Sequence, residues 1–480
     1  MESNDEQKQS FLSAKALVQS PVAGTPGDAK KEVEVDGLKI TDEPGPAGHG
    51  GRVRGLGYLK TSYFIIAQMT GVGFLALPKA LANSGWGGVT MILLFCLLVG
   101  FAATRLGKAW VILEERWPEL RRPVRQPYMD IAEKAFGLIG RKFCFGCVIA
   151  TLMGYGIAFT LLIAGMMNSL VTSVSICTWI IIISVTVCPA TFLESPKDFW
   201  QASILAVVST SLAIVIIIVQ LICDQPLHPD PSYGAPTFIS FSLGFSAILF
   251  AFGGASAFPT LQNDMEDRRD WWKSVIVAFS VILVLYLPIG VTGYAILGDQ
   301  VPDNIILGVT EGIPVIFAIV FVIVNLLCTY VICMNPIDQA FEEILKVPNS
   351  FNWKRVVVRT CVVCFVTFVC LAVPDFGKIL NLFGGSTITS LSFLFPPLMY
   401  LRLVDQKGEG KWEEKKIPIY ERILLYFIVL VGLVGGITST VFALMDILDP
   451  KSLGKSCFVS FSLGIPVDEA QNVTMFYDST

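Results

Sequence analysis

Stretches of about 20 apolar residues, each long enough to cross about 30 Å of hydrocarbon, recur along almost the whole of this 480-residue chain. A segment in a bilayer must satisfy its own backbone N–H and C=O groups, and an α-helix does so. Hydrophobic residues make up 53% of the chain and charged residues 15%, against about 25% charged in soluble proteins. The chain is therefore read as an all-α polytopic membrane protein. Spans are predicted at 58–82, 87–112, 143–168, 176–192, 200–223, 238–262, 272–297, 312–340, 355–374, 378–403 and 421–446, about 11 helices in one bundle over 58–446. Residues 1–57 are polar, carry Pro44-Gly45-Pro46 and lack the apolar core of a signal peptide, so they read as a disordered tail. Residues 447–480 form a second tail.

Charge sorting gives the orientation. With the N-terminus in the cytoplasm, all but four of the 35 Lys and Arg fall on the cytoplasmic side, the exceptions being Lys79, Lys378, Lys451 and Lys455. The loops 224–237 and 298–311 contain neither residue. This is the positive-inside pattern. An odd number of spans then puts the C-terminus outside or in a lumen, where Asn472-Val473-Thr474 is an N-glycosylation sequon. Nothing in the chain resembles a nucleic-acid surface.

Cysteine and histidine limit the chemistry. Cys144/Cys147 and Cys361/Cys364 have C-x-x-C spacing, but on apolar helices they read as small packing residues rather than metal ligands. Cys177, Cys223 and Cys457 lie near the outer face, and Cys177 with Cys223 is the expected disulfide. The two histidines, His49 and His228, are outside the spans, and no Asp, Glu, Lys or Arg lies near the midpoint of any span. Proton relays usually place ionisable groups at depth; none stands there. No catalytic cluster is visible, so an intramembrane enzyme is disfavoured, and no cofactor is implied. Rings of charge or repeated carbonyl filters of a channel are also not visible.

Two spans break the apolar pattern. Thr70-Gly71-Val72-Gly73-Phe74-Leu75-Ala76-Leu77-Pro78 puts two glycines and a proline into the first, and Phe250-Ala251-Phe252-Gly253-Gly254-Ala255-Ser256-Ala257-Phe258-Pro259 repeats the anomaly in the sixth. Non-helical backbone at membrane depth is tolerated where it lines a cavity or binds a ligand. The two breaks open successive sets of five spans of opposite topology, which describes an inverted-repeat transporter. A second half-helix starting near Gly73 would present free N–H groups and about +0.5 charge to a carboxylate. A half-helix ending near Phe252 would present C=O groups to an ammonium. An anion pole and a cation pole without charged side chains suit a zwitterion, so small neutral amino acids are the expected class. The candidate site comprises Thr70, Gly71, Val72, Gly73, Gly253 and Gly254, with Phe74, Phe250, Phe252 and Tyr155 around a side chain and Ser256 and Asn325 as hydrogen-bonding groups.

Gly71-Val72-Gly73-Phe74-Leu75-Ala76-Leu77-Pro78, followed by Ala80 and Gly85-Trp86-Gly87-Gly88, resembles the start of the amino acid/auxin permease family. Phe252-Gly253-Gly254 leading to Phe258-Pro259-Thr260-Leu261-Gln262-Asn263-Asp264-Met265 resembles its sixth-span signature, and Gly298-Asp299 followed by Asn304-Ile305 fits the same pattern. The resemblance covers about residues 55–446. It implies a leucine-transporter-type fold, a five-plus-five inverted repeat with helices 1 and 6 broken, and secondary transport of amino acids. The chain looks closest to animal members that resemble proton-coupled and vesicular amino acid transporters. Relatives often carry histidines where this chain has Ala255 and Asn263. Proton-coupled relatives place a histidine at the position of Phe64, and sodium-coupled ones an asparagine at that of Ala67. Coupling to H+ or Na+ through other groups, and facilitated exchange, stay open, as do plasma and endolysosomal or vesicular membranes. An amino-acid sensor without net transport would need the same pocket.

Overall fold

The computed structural model describes residues 55–121, 124, 126–192, 200–227, 230–347, 352–408, 412–449 and 456–459, together with 34–35 and 38–39. The chain divides into two units, residues 1–50 and 51–480. In the first, β1 (Glu34–Val35) and β2 (Leu38–Lys39) pair antiparallel, with Glu34 opposite Lys39. Most of the expected N-terminal tail and the sequon at Asn472 lie outside the described residues.

The second unit is built from helices. α1 (Tyr58–Thr70) and α2 (Gly73–Ser84) make one span bent by 54° at Gly71-Val72. α3 (Gly87–Arg116), α4 (Pro127–Leu170), α5 (Ile176–Thr191) and α6 (Trp200–Asp224) complete the first half. α7 (Phe238–Ala251) and α8 (Phe258–Asn263) form the interrupted sixth span, followed by α9 (Trp271–Leu297), α10 (Ile313–Ile344) and α11 (Trp353–Ala372). α12 (Phe376–Phe383) runs through two π-helical segments, Gly384–Ile388 and Ser390–Leu394, into α13 (Phe395–Asp405), and α14 (Ile419–Leu448) ends the bundle. Among the described residues, 8 helices are long and apolar enough to cross a membrane, the bent α1–α2 pair counts as one more, and α5 and α7 are shorter apolar helices. Each predicted span therefore has its helix.

Local chemistry explains the boundaries. Thr237 and Ser240 form a capping box, Thr237 Oγ1 accepting from Ser240 N at 3.1 Å and Ser240 Oγ from Thr237 N at 2.9 Å, so α7 starts cleanly after the Pro-rich loop. α4 is two helices in one, because Gly137 sits at φ 74°, a left-handed conformation that favours glycine. The turn separates a helix in the predicted 113–142 loop from the span that follows. Arg105, in the second half of α3, pairs with Glu421 of α14 at 2.6 Å.

The expected Cys177–Cys223 disulfide is corrected. Cys177 bonds Cys457, with Cα atoms 5.7 Å apart, while Cys223 is free and exposed. The cause lies in the segment 456–459, which folds back onto the end of α11. There Ser456 Oγ donates to Leu371 O at 3.2 Å, and the rings of Phe458 and Phe368 lie 5.4 Å apart. That contact sets Cys457 against the inward-facing Cys177 in the first turn of α5.

Candidate substrate site at the two helix breaks

The two interrupted spans meet at their breaks. A Cβ on Gly73 would stand 2.6 Å from Ala251 Cα and 2.8 Å from Tyr286 Oη, so only a glycine lets the start of α2 lie against the end of α7. α2 begins at Gly73 and its first turn closes with Leu75 N donating to Val72 O at 3.2 Å. The N–H groups of Gly73 and Phe74 have no acceptor within α2, as at any helix start. At Gly71 there is room: the nearest atom to an added Cβ is Thr329 Cγ2 of α10, at 3.9 Å.

The second break is more closely held. Past Ala251 the chain leaves the helix, with Gly253 N donating to Phe250 O and Gly254 N to Phe252 O, both at 3.0 Å. Tyr155 of α4 donates its hydroxyl to Gly253 O. Its ring stacks on Phe159 and meets Phe250 edge-on at 5.5 Å. Tyr286 of α9, fully buried, lies 2.7 Å from Met69 O and 3.0 Å from Ala251 O. One phenol proton is thus shared between the last turn of α1 and the last turn of α7. Each of these carbonyls keeps a second lone pair.

The remaining expected residues divide into two groups. Ser256 lies inside the second break with its Oγ buried and without a hydrogen-bond partner. Gly254 packs on Met69, a Cβ there standing 2.8 Å from Met69 Cγ. Thr70, by contrast, donates to Ile66 O at 2.8 Å within its own helix. Val72 is buried at the break, and Phe74 is fully buried. Phe252 lies in a wall of rings, stacked on Phe279 at 6.3 Å and edge-on to Tyr286 at 5.6 Å. Asn325 is turned to α6, donating to Thr210 Oγ1 at 2.7 Å and accepting from Thr329 at 3.2 Å. Its reach to the breaks is through Thr329.

The family of this architecture is decided by comparison. The model of the transmembrane amino acid transporter protein family matches residues 54–444. The chain belongs to that family. This transporter is 26% identical over 405 residues to amino acid transporter AVT1J of Arabidopsis thaliana, covering 81% of the chain and 91% of that protein. It is 23% identical over 374 residues to lysine histidine transporter-like 1 of the same plant, covering 72% and 80%. Among solved structures it is similar to MhsT in complex with L-phenylalanine, with a TM-score of 0.52, 11% identity, and 82% of this chain and 100% of that one covered. It is also similar to Mhp1, a nucleobase-cation-symport-1 family transporter, with a TM-score of 0.50, 16% identity, and 84% and 93% covered. These two likenesses concern the fold, the leucine-transporter type.

Sequence reasoning missed two contributors to the candidate site. Tyr286 was the first, although a hydroxyl within the apolar run Val284-Leu285-Tyr286-Leu287-Pro288 was a signal. The second is the π-helical segment of the tenth span. Gly384 admits Ser246 O of α7 where a Cβ would stand 2.2 Å from it, and a Cβ on Gly253 would meet Ile388 Cδ1 at 3.1 Å. Such π segments recur at functional sites; here Gly384-Gly385 carried the clue.

Proposed function

We propose that this amino acid transporter moves small neutral α-amino acids by alternating access, holding each as a zwitterion between the two breaks. The carrying observation is the contact of Gly73 with Ala251, which brings a helix start and a helix end together at one point. The N–H groups opening α2 and the positive end of its dipole suit the carboxylate. The second lone pairs of the Ala251 and Gly253 carbonyls suit the ammonium, and the unpartnered Ser256 hydroxyl is available to either group. Phe250 and Tyr155 would bound the side chain.

The proposed orientation has the N-terminus cytoplasmic and the C-terminus outside or in a lumen, with Asn472 glycosylated. The segregation of Lys and Arg favours it, and so does the disulfide at the opposite end of the bundle, since such bonds persist in oxidising compartments. The test is uptake of labelled alanine, glycine, serine, proline and leucine into proteoliposomes. Wild type should accumulate or exchange at least one of them. Gly73→Leu, inserted and eluting normally on size exclusion, should carry none. Binding of a label by the wild type without counterflow would instead make the protein a sensor.

A further inference from the structure

The Lys- and Arg-rich end of the bundle holds a group of charges apart from the breaks. Asp338 and Glu342 stand one turn apart on α10, and Arg355 and Arg359 one turn apart on α11. Glu342 Oε1 lies 2.7 Å from Arg359 Nε and 3.1 Å from Arg355 Nε. Arg359 also donates to Thr191 O at the end of α5. Asp338 is only 1% exposed, yet neither of its carboxylate oxygens has a hydrogen-bond partner. The charged groups acting on it are Arg359 and Arg355 of α11 and Glu342 of its own helix. Tyr330, two turns back on α10, interacts with Asp338 and also with Cys370 of α11 and Cys188 of α5. α4 and α6, also packed on α10, bring no charged group to it among the described residues.

An ionised carboxylate buried without a hydrogen bond is strongly disfavoured, whereas the neutral acid is tolerated. Both arginines are turned to Glu342 at hydrogen-bond distance, and Asp338 makes no hydrogen bond to either. Asp338 therefore fits a carboxyl that is protonated in this conformation. Loss of the proton would draw it toward the α11 arginines and move α10 against α11. The same helix reaches the first break. Cys333, five residues before Asp338, accepts from Gln68 Nε2 of α1 at 3.3 Å, and Thr329 stands beside Gly71.

We infer that Asp338 binds the coupling proton of this transporter, taking it from water in one conformation and releasing it in the other as α10 shifts between α1 and α11. One proton adds to a carboxylate oxygen and one leaves it per cycle, so charge and atoms balance. The inference rests on the transport reading of the breaks.

The test uses the full chain in proteoliposomes and whichever of the five labelled amino acids gives counterflow in the wild type. With the source side one pH unit more acidic, the wild type should accumulate the label up to about tenfold. Asp338→Asn should keep at least half of the counterflow rate but lose accumulation, and Asp338→Glu should restore it. Accumulation persisting in Asp338→Asn, or wild-type accumulation that follows sodium and ignores pH, overturns the proposal. A measurement on the unmutated protein covers the case in which the variants misfold. Dicyclohexylcarbodiimide, which modifies protonated carboxyls in apolar surroundings, should label Asp338 in preference to Glu342, less as pH rises. Labelling of Glu342 with Asp338 untouched overturns the proposal. Absence of any counterflow in the wild type would defeat the transport reading while leaving the carbodiimide result to judge Asp338.

Discussion

The two breaks interrupt their spans by different means. The first is short: Gly71 and Val72 alone separate α1 from α2, and the bend comes from their backbone. The second runs from Phe252 to Ala257, and two tyrosines from other spans hold the carbonyls of Gly253 and Ala251. Donors at a helix start fan out and need only space, so a glycine suffices. Acceptors at a helix end must be kept apart from their own chain, and here side-chain hydroxyls do this. One break is made by leaving out a side chain and the other by bringing side chains in.

Substitutions can break this contrast in order of severity. Gly73→Ala is expected to have the largest effect. Its methyl meets the α-carbon of Ala251, which cannot rotate away, and overpacking of this kind costs about 1–3 kcal/mol. Uptake at saturating label should fall to background, and near-normal uptake would mean the two breaks do not pack closely in the working protein. Tyr155→Phe should come next. It leaves Gly253 O without its donor, for a loss of about 1–3 kcal/mol and a roughly tenfold lower rate. Tyr286→Phe removes the hydroxyl shared by Met69 O and Ala251 O, so its effect should show in detergent melting temperature as well as in rate. A change in rate alone for Tyr286 would assign it to ligand contact rather than to holding the breaks together. Gly71→Ala should be the mildest at the breaks, within about twofold of wild type, because its methyl meets only Thr329 Cγ2 at van der Waals distance. Equal damage from Ala at 71 and at 73 would erase the distinction between the two glycines. Outside the breaks, Cys457→Ser should abolish the mobility difference between reduced and oxidised protein with little change in uptake, while Cys223→Ser should preserve that difference.

What could be read in advance was written in single stretches of chain. The spans are legible because hydrophobic length is a local property. The break positions at Gly73 and Phe252 are legible because glycine and proline disturb the backbone where they stand. Partners across the bundle left no such trace. Asn325 looked like a free amide among apolar residues, but Thr210, 115 positions away, receives it. Cys457 looked no better a mate for Cys177 than Cys223 until the Ser456 and Phe458 contacts set its place. Asp338 is not legible as a buried charge because it lies near the end of its span, where a carboxylate ordinarily meets water, and only the packing of the neighbouring helices hides it.

At the Lys- and Arg-rich end, Leu56 N donates to Asp264 O at 2.9 Å and Glu266 N to Leu56 O at 3.0 Å, joining the residues just before α1 to those just after α8. Because both bonds run between main chains, a replacement at Leu56 or Glu266 deletes one outright only if it is proline, which lacks the N–H. On the proposed alternating-access reading, opening that end would part the two strands of this short bridge, and closing it would restore the same register. The control point is Gly55, where a Cβ would stand 2.3 Å from Glu266 N. Any larger residue there would wedge the bridge apart, so the absence of a single methyl group is what lets the two segments join.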